Sequence, residues 1–225
     1  VIKIKKGLDI NLKGKASDVL LNGGKSDSYA IVPDYYNGIV PKVVAKVGEK
    51  VKAGSVLMID KNRPEIKFVS PVSGEVTAVN RGEKRKVLSV VVKPEAQIEY
   101  EDFGKKNVAS LKREEVKEAI QHAGMWPFIK QRPYDIVASP ADEPRDIFVS
   151  AFYSAPLSPN FDFVVKGQEA DFQTGLDALA KLTDGKVYVG IRKGSSVSVK
   201  GVETVEVEGP HPAANVGVQI NHIKP

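Results

Sequence analysis

Apolar residues recur along the first hundred positions in short β-branched bursts: Ile31-Val32, Ile39 to Val47, Ser55 to Ile59, Ile66 to Val69, Glu75 to Val79 and Val87 to Val92. Gly, Pro and Asn separate them. Bursts of this length, with no helical period between them, predict a compact all-β unit rather than βαβ repeats. An imperfect repeat runs through it. Gly38-Ile39-Val40-Pro41-Lys42-Val43 is echoed by Gly74-Glu75-Val76-Thr77-Ala78-Val79, and each copy leads to a Gly-Glu-Lys turn. Two similar halves imply a pseudo-twofold β structure. From about residue 107 the period changes. Val116, Ala119, Ile120 and Ala123 fall on one face of a helix spanning 107–123, with Ser110 near its start and Gly124 then Pro127 as its stop. Strands are expected at 134–138, 146–150, 186–191 and 202–207, and a second helix at 168–182 carries Phe172, Leu176, Leu179 and Leu182 as its stripe. Strands alternating with helices predict an α/β layer with a largely parallel sheet. The boundary falls near 99–106, giving a β domain over 1–104 with an N-terminal strand, then an α/β domain over 105–225.

Composition narrows the classes. Hydrophobic residues at 42% and charged residues at 27% suit a globular chain with a real core. The apolar runs, such as Val90-Val91-Val92, are far too short to cross a bilayer. The N-terminal stretch lacks the charged, apolar and cleavage regions of a secretory signal, so secretion is not expected. With no cysteine, disulfides, thiolate-bound zinc and cysteine-ligated iron–sulfur clusters are excluded. A formal charge of +5 is mild. The denser basic stretches, Lys3-Ile4-Lys5-Lys6 and Arg81 to Lys86, read as exposed strand and turn charge, with a neighbouring subunit or an anionic membrane surface as the alternative contact, and no nucleic acid is expected as a partner.

One motif is specific. Val47-Gly48-Glu49-Lys50-Val51-Lys52-Ala53-Gly54-Ser55-Val56-Leu57, with Pro71-Val72-Ser73-Gly74-Glu75-Val76, resembles the two halves of the biotinyl/lipoyl hammerhead signature. Its glycines serve tight turns between paired strands. Counting back from Gly74, the acceptor lysine's place falls on Arg63, a degenerate acceptor, because a guanidinium stays protonated and is a poor nucleophile. Lys61 would substitute only in a hairpin shifted by two residues, and Pro64 points to a rebuilt tip. The scaffold reading is favoured over a carrier arm.

Other chemistry is thin. Gly23-Gly24-Lys25-Ser26 has the tail of a P-loop, but Val19 stands where its first glycine belongs. Gly209-Pro210-His211-Pro212-Ala213 ends a strand and would open a helix, placing free N–H groups and His211 where an anion binds; a plain strand-ending turn is the favoured alternative. His122, His211 and His222 show no metal spacing. Met125, Trp126 and Phe128 form an apolar group after the helix, read as packing ahead of a ligand or partner contact. Spacing alone marks no catalytic, cofactor-binding or metal-binding residue.

A hammerhead without its lysine, joined to an α/β domain without a glycine loop, resembles the A subunit of the bacterial sodium-translocating NADH:quinone oxidoreductases. The resemblance is carried by Ile2-Lys3-Ile4-Lys5-Lys6-Gly7-Leu8-Asp9, Phe68 to Gly74, Gly124-Met125-Trp126-Pro127-Phe128 with Arg132-Pro133, and Gly209 to Ala213. It implies an α+β multidomain chain: a barrel-sandwich β hammerhead, then a Rossmann-like domain related to the flavin-binding subunit of complex I. In those relatives a glycine-rich loop cradles flavin and nicotinamide. Here the corresponding place resembles Gly124 to Phe128, whose bulky side chains would fill that space. The resemblance therefore implies a subunit with no redox cofactor of its own, the flavins and iron–sulfur centre being carried by other subunits. It implies a peripheral protein on the cytoplasmic face of the bacterial inner membrane, docked chiefly on membrane-embedded subunits, with quinone as a further contact. Gly124, Met125, Trp126, Phe128, Gly209 and His211 are the expected ligand or partner contacts. The family chain is expected to continue beyond Pro225 into a β-rich domain and a helical end. Two alternatives stay open: a lipoyl/biotinyl-type carrier, and a soluble nicotinamide-binding protein.

Overall fold

The computed structural model describes residues 1–14 and 16–225. In chain order its strands begin with β1 (Ile2–Lys3), β2 (Tyr29–Ile31), β3 (Pro41–Val43), β4 (Lys50–Val51) and β5 (Val56–Asp60). They continue with β6 (Lys67–Val69), β7 (Gly74–Arg81) and β8 (Val87–Pro94), then the helix α1 (Arg113–His122). After it come β9 (Lys130–Gln131), β10 (Ile136–Val137), β11 (Ile147–Ser150), α2 (Phe161–Val164) and α3 (Glu169–Lys181). The chain closes with β12 (Val187–Arg192), β13 (Glu203–Glu208) and α4 (Val216–Ile223). Among the described residues no helix is long and apolar enough to cross a membrane.

Two compact units arise, and neither is continuous in sequence. One takes residues 23–106 and 114–142; the other takes 1–22, 107–113 and 143–225. The first is a β unit. Its four-stranded sheet runs β2-β8-β7-β4, its three-stranded sheet β3-β5-β6, and β9-β10 form a small third sheet. All of these pairings are antiparallel. Val51, Val76, Val87, Val90 and Val92 from the larger sheet meet Leu57 and Val43 from the smaller one, so the core lies between them. Two register shifts on β7–β8 make this possible. Asn80 opposes Ser89 while Arg81 opposes Val87, so Leu88 is an extra residue on β8. A bulge there reverses the side-chain alternation and lets Val87 and Val90, three apart, both point inward.

The second unit is α/β. Its sheet runs β1-β13-β12-β11, and every pair is parallel. Val187, Val189 and Ile191 alternate along β12 and pack with Leu176 and Phe172 of α3. Val207 packs with Ala213 and Val218 near α4. Gln219 of α4 is fully buried and donates to Ser150 Oγ at 3.0 Å, satisfying both groups.

Three expectations change. The N-terminal strand does not join the β unit. Ile2 and Lys3 pair beside β13, and buried Ile4 belongs to the α/β core. Conversely, α1 beyond Arg113, and the strand expected at 134–138, belong to the β unit, where β10 pairs with β9. The compact units therefore interleave across the expected 104/105 boundary; short apolar segments take whichever core they complete. Finally, the helix starts at Arg113, not 107. Residues 108–110 make a 3₁₀ turn in which Asn107, rather than Ser110, caps, and Ser110 Oγ donates back to the Asn107 carbonyl at 2.9 Å.

Candidate functional site

The hairpin tip is closed by an arginine clasp. β5 and β6 are joined through 61–66, where the Arg63 N–H donates to the Asp60 carbonyl and the Ile66 N–H to the Arg63 carbonyl. The guanidinium then reaches three acceptors: Asp60 Oδ2 at 2.8 Å, the Gly38 carbonyl at 2.8 Å and the Val137 carbonyl at 3.1 Å. Asp60, 1% exposed, also accepts at Oδ1 from the Val40 and Asn62 N–H groups. This buried carboxylate is thus paired and hydrogen-bonded on both oxygens, which is what a charge needs to remain inside. The degenerate acceptor position faces inward as a structural tie. Lys61 is exposed, with its backbone N–H held by the Val40 carbonyl at 2.7 Å.

Beside this clasp the unit presents an aromatic face. Trp126 and Pro127 are buried, and the indole N–H donates to the Ala138 carbonyl at 2.9 Å. Met125 and Phe128 instead stand 53% and 64% exposed. Gly124 has φ +69°, and a Cβ there would run into the Val69 side chain, so only glycine lets the helix end against β6. Phe128 meets the Tyr36 ring edge-on at 6.3 Å, and Tyr36 meets Phe68 at 4.7 Å. Lys130 sits 5.8 Å from the Tyr36 ring centre. Burial raises the Tyr36 hydroxyl pKa above its ordinary value. The Val137 N–H donates to the Asn37 carbonyl at 2.9 Å, which ties the Tyr35-Tyr36 turn to the Tyr134–Val137 stretch. Tyr35 and Tyr134 are both exposed there. Arg132 pairs with Asp135, and its buried Nε has no hydrogen-bond partner among the described residues.

A phosphate cradle does not form at this loop. The N–H groups of Gly124, Met125 and Phe128 donate to the carbonyls of Gln121, Ile120 and Met125. None of these three is left for a phosphate, so this loop offers no nest of N–H groups to a flavin or nicotinamide nucleotide.

Gly209 and His211 lie in the other unit. α4 begins only at Val216, capped by Asn215, so the 209–213 turn does not open it. Its donors are engaged as well. The His211 N–H donates to Asp9 Oδ1 at 2.8 Å, and those of Ala213 and Ala214 to the Pro210 carbonyl and Ser154 Oγ. The His211 ring bonds Ser154 Oγ through Nδ1 at 3.1 Å. With its amides taken, the turn reads as a strand-ending one. Gly209 has φ +136°, and a Cβ would strike the Ile4 carbonyl, so this glycine seats the β1 edge. Among the described residues no cluster of three or more His, Cys, Asp or Glu could hold a metal.

Sequence reading missed Asp60, Tyr35, Tyr36 and Tyr134. Asp60 carried a weak signal, an acid at a strand end three residues before the odd arginine. The aromatic pair lies in an ordinary Pro-to-Gly turn and carried none.

Comparison with known proteins decides the family. Residues 2–95 match the NqrA N-terminal barrel-sandwich hybrid domain, and residues 111–225 match the NqrA second alpha/beta domain. The chain belongs to the NqrA family. Among its relatives are the Na(+)-translocating NADH-quinone reductase A subunits of Hahella chejuensis and Vibrio atlanticus, each 37% identical over 230 residues. That of Photorhabdus laumondii is 35% identical. All of this chain is covered, with 52% of the Hahella and Photorhabdus relatives and 51% of the Vibrio one. The chain thus spans about half the length of the curated relatives it matches. The NqrA domains divide the sequence between 95 and 111, whereas the compact units interleave across that line.

Proposed function

We propose that this NqrA chain works as part of a sodium-translocating NADH:quinone reductase, within its A subunit, as a peripheral docking element on the quinone side. In this reading it carries no redox cofactor, and other subunits hold the flavins and the iron–sulfur centre. It sits at the cytoplasmic face of the bacterial inner membrane, against membrane-embedded subunits. The observation that carries the reading is the match of both domains to NqrA, joined to the inward Arg63 clasp, which makes the hammerhead a scaffold rather than an arm. The aromatic face is the proposed contact. Exposed apolar surface at Met125 and Phe128, beside the Tyr36 ring, suits an apolar partner segment or a quinone ring. The α/β unit, on this reading, keeps a Rossmann-like frame related to the complex I flavin subunit without its ligand.

The test is purification of the tagged, full-length protein from gently solubilised native membranes. Integral membrane partners and sodium-stimulated NADH:quinone reduction are expected to accompany it. A chain that emerges alone and inactive overturns the membership. A flavin absorption band from the isolated chain overturns the cofactor-free role, and a mass increase beside a lipoyl or biotin ligase returns the carrier.

A further inference from the structure

Between β1 and β2 the described chain is irregular, yet its first part is tied down at two points. At the start, the Leu8 N–H donates to the His211 carbonyl at 2.9 Å, and Asp9 Oδ1 accepts from the His211 N–H. Gly7 is bare here, since a Cβ would collide with the His211 carbonyl. Further on, Asp18 Oδ2 accepts from Asn160 Nδ2 at 3.1 Å. All of these residues belong to the α/β unit. What the anchored strap holds outward is unusual for irregular chain. Leu20 and Leu21 are 88% and 81% exposed, and Leu8, Ile10, Leu12 and Val19 are exposed as well. Single exposed leucines need no explanation, but a run of large apolar side chains this dense does.

Charge indicates what covers them. Lys5, Lys6 and Lys13 are exposed in the same stretch. Its two acids, Asp9 and Asp18, are both bound to the α/β unit. The strap therefore offers leucines among cations, with its acids turned to the protein. Apolar side chains that enter the acyl boundary, beside lysines that meet headgroup phosphates, are the two terms of interfacial binding.

We propose that the described residues 5–14 and 16–21 act as a strap that binds the surface of an anionic bilayer. This deepens the reading of a peripheral membrane-side chain and rests on it. Leu20 and Leu21 enter the interface, and Lys5, Lys6 and Lys13 hold the lipid phosphates.

Co-sedimentation of the purified protein with vesicles tests it. Vesicles of phosphatidylglycerol and phosphatidylethanolamine are expected to bind the protein far better than phosphatidylcholine vesicles, and less well as salt rises. Leu20→Ser with Leu21→Ser lowers partitioning roughly tenfold or more, with no change in the thermal melt. Lys5→Gln and Lys6→Gln each lower it roughly fivefold. Lys84→Gln, an equal loss of charge in the β unit, leaves it nearly unchanged. Equal partitioning onto both lipids, or indifference to the strap variants, overturns the proposal. So does a protein that ignores vesicles but loses integral membrane partners when Leu20 and Leu21 are changed, because the strap then meets a protein. Vesicle binding by a protein that brings no reductase from native membranes upholds the strap and removes the reductase reading instead.

Discussion

Two turns in this molecule share the same grammar and end differently. Gly124-Met125-Trp126-Pro127-Phe128 follows a helix, Gly209-Pro210-His211-Pro212-Ala213 follows a strand, and both combine a left-handed glycine with prolines. Both have engaged amides, so neither offers the nest of N–H groups that an anion requires. The difference lies in the side chains. At 209–213 the ring of His211 bonds Ser154, Ala213 is buried, and the turn serves the seat of β1. At 124–128 Trp126 anchors the loop while Met125 and Phe128 are left in solvent. A loop whose amides are largely engaged can still present a surface, and only the 124–128 turn leaves large apolar side chains outside.

The clasp beneath that surface gives the largest expected effect. Arg63→Ala leaves the Asp60 carboxylate buried without its cation, costing about 3 kcal/mol or more. Urea unfolding should show it, and Arg63→Lys should recover only part of the loss because an ammonium cannot span the same three acceptors. Should Arg63→Ala be neutral, the inward clasp is not what holds the hairpin.

Trp126→Phe is the next step down. It keeps an aromatic ring but strands the Ala138 carbonyl, at about 1 to 2 kcal/mol. Met125→Ser with Phe128→Ser should leave stability within about 0.5 kcal/mol, as exposed positions do. That contrast within one loop separates anchor from surface. Gly209→Ala probes the other turn: hydrogen exchange should quicken at Ile4, whose N–H donates to the Glu208 carbonyl at 2.8 Å, while the β unit keeps its protection.

Acid gives the smallest effect, confined to the α/β unit. Burial alone would raise the Asp146 carboxyl, but the Lys186 N–H, Lys224 and Arg145 outweigh it and hold it below the usual range. For Asp162, burial is likewise outweighed by the donors of Ser195 and Ser196. A carboxyl with a depressed folded pKa contributes stability fully present above its unfolded value, about 3.9, and lost as pH falls through the lower folded one. Melts taken downward from about pH 4 should therefore lose stability in the wild type, and Asp146→Asn should flatten that acid limb. An unchanged limb would show that Asp146 is not held by these partners.

Much of this architecture was legible because short-range chemistry dictates it. Valine-rich bursts flanked by Gly and Pro gave β7 and β8, and the stripe of Phe172, Leu176 and Leu179 gave α3 within a residue at each end. The arginine in place of the hammerhead lysine was readable by counting. Its three acceptors were not, because the Gly38 and Val137 carbonyls are backbone groups 25 and 74 residues away and leave no mark on the sequence. The interleaving of the units was hidden for the same reason. Ile2 and Ile4 look alike whether they join a β barrel or edge a parallel sheet, and only the bare Gly209 beside Ile4 selects the second.

The aromatic face is tested most directly by purifying the full-length protein carrying Met125→Ser and Phe128→Ser from native membranes beside the wild type. The variant is expected to melt with the wild type but lose its integral membrane partners and the sodium-stimulated quinone reduction that accompanies them. Full recovery of partners and activity by the variant would contradict a docking role for this face and move the contact elsewhere on the chain.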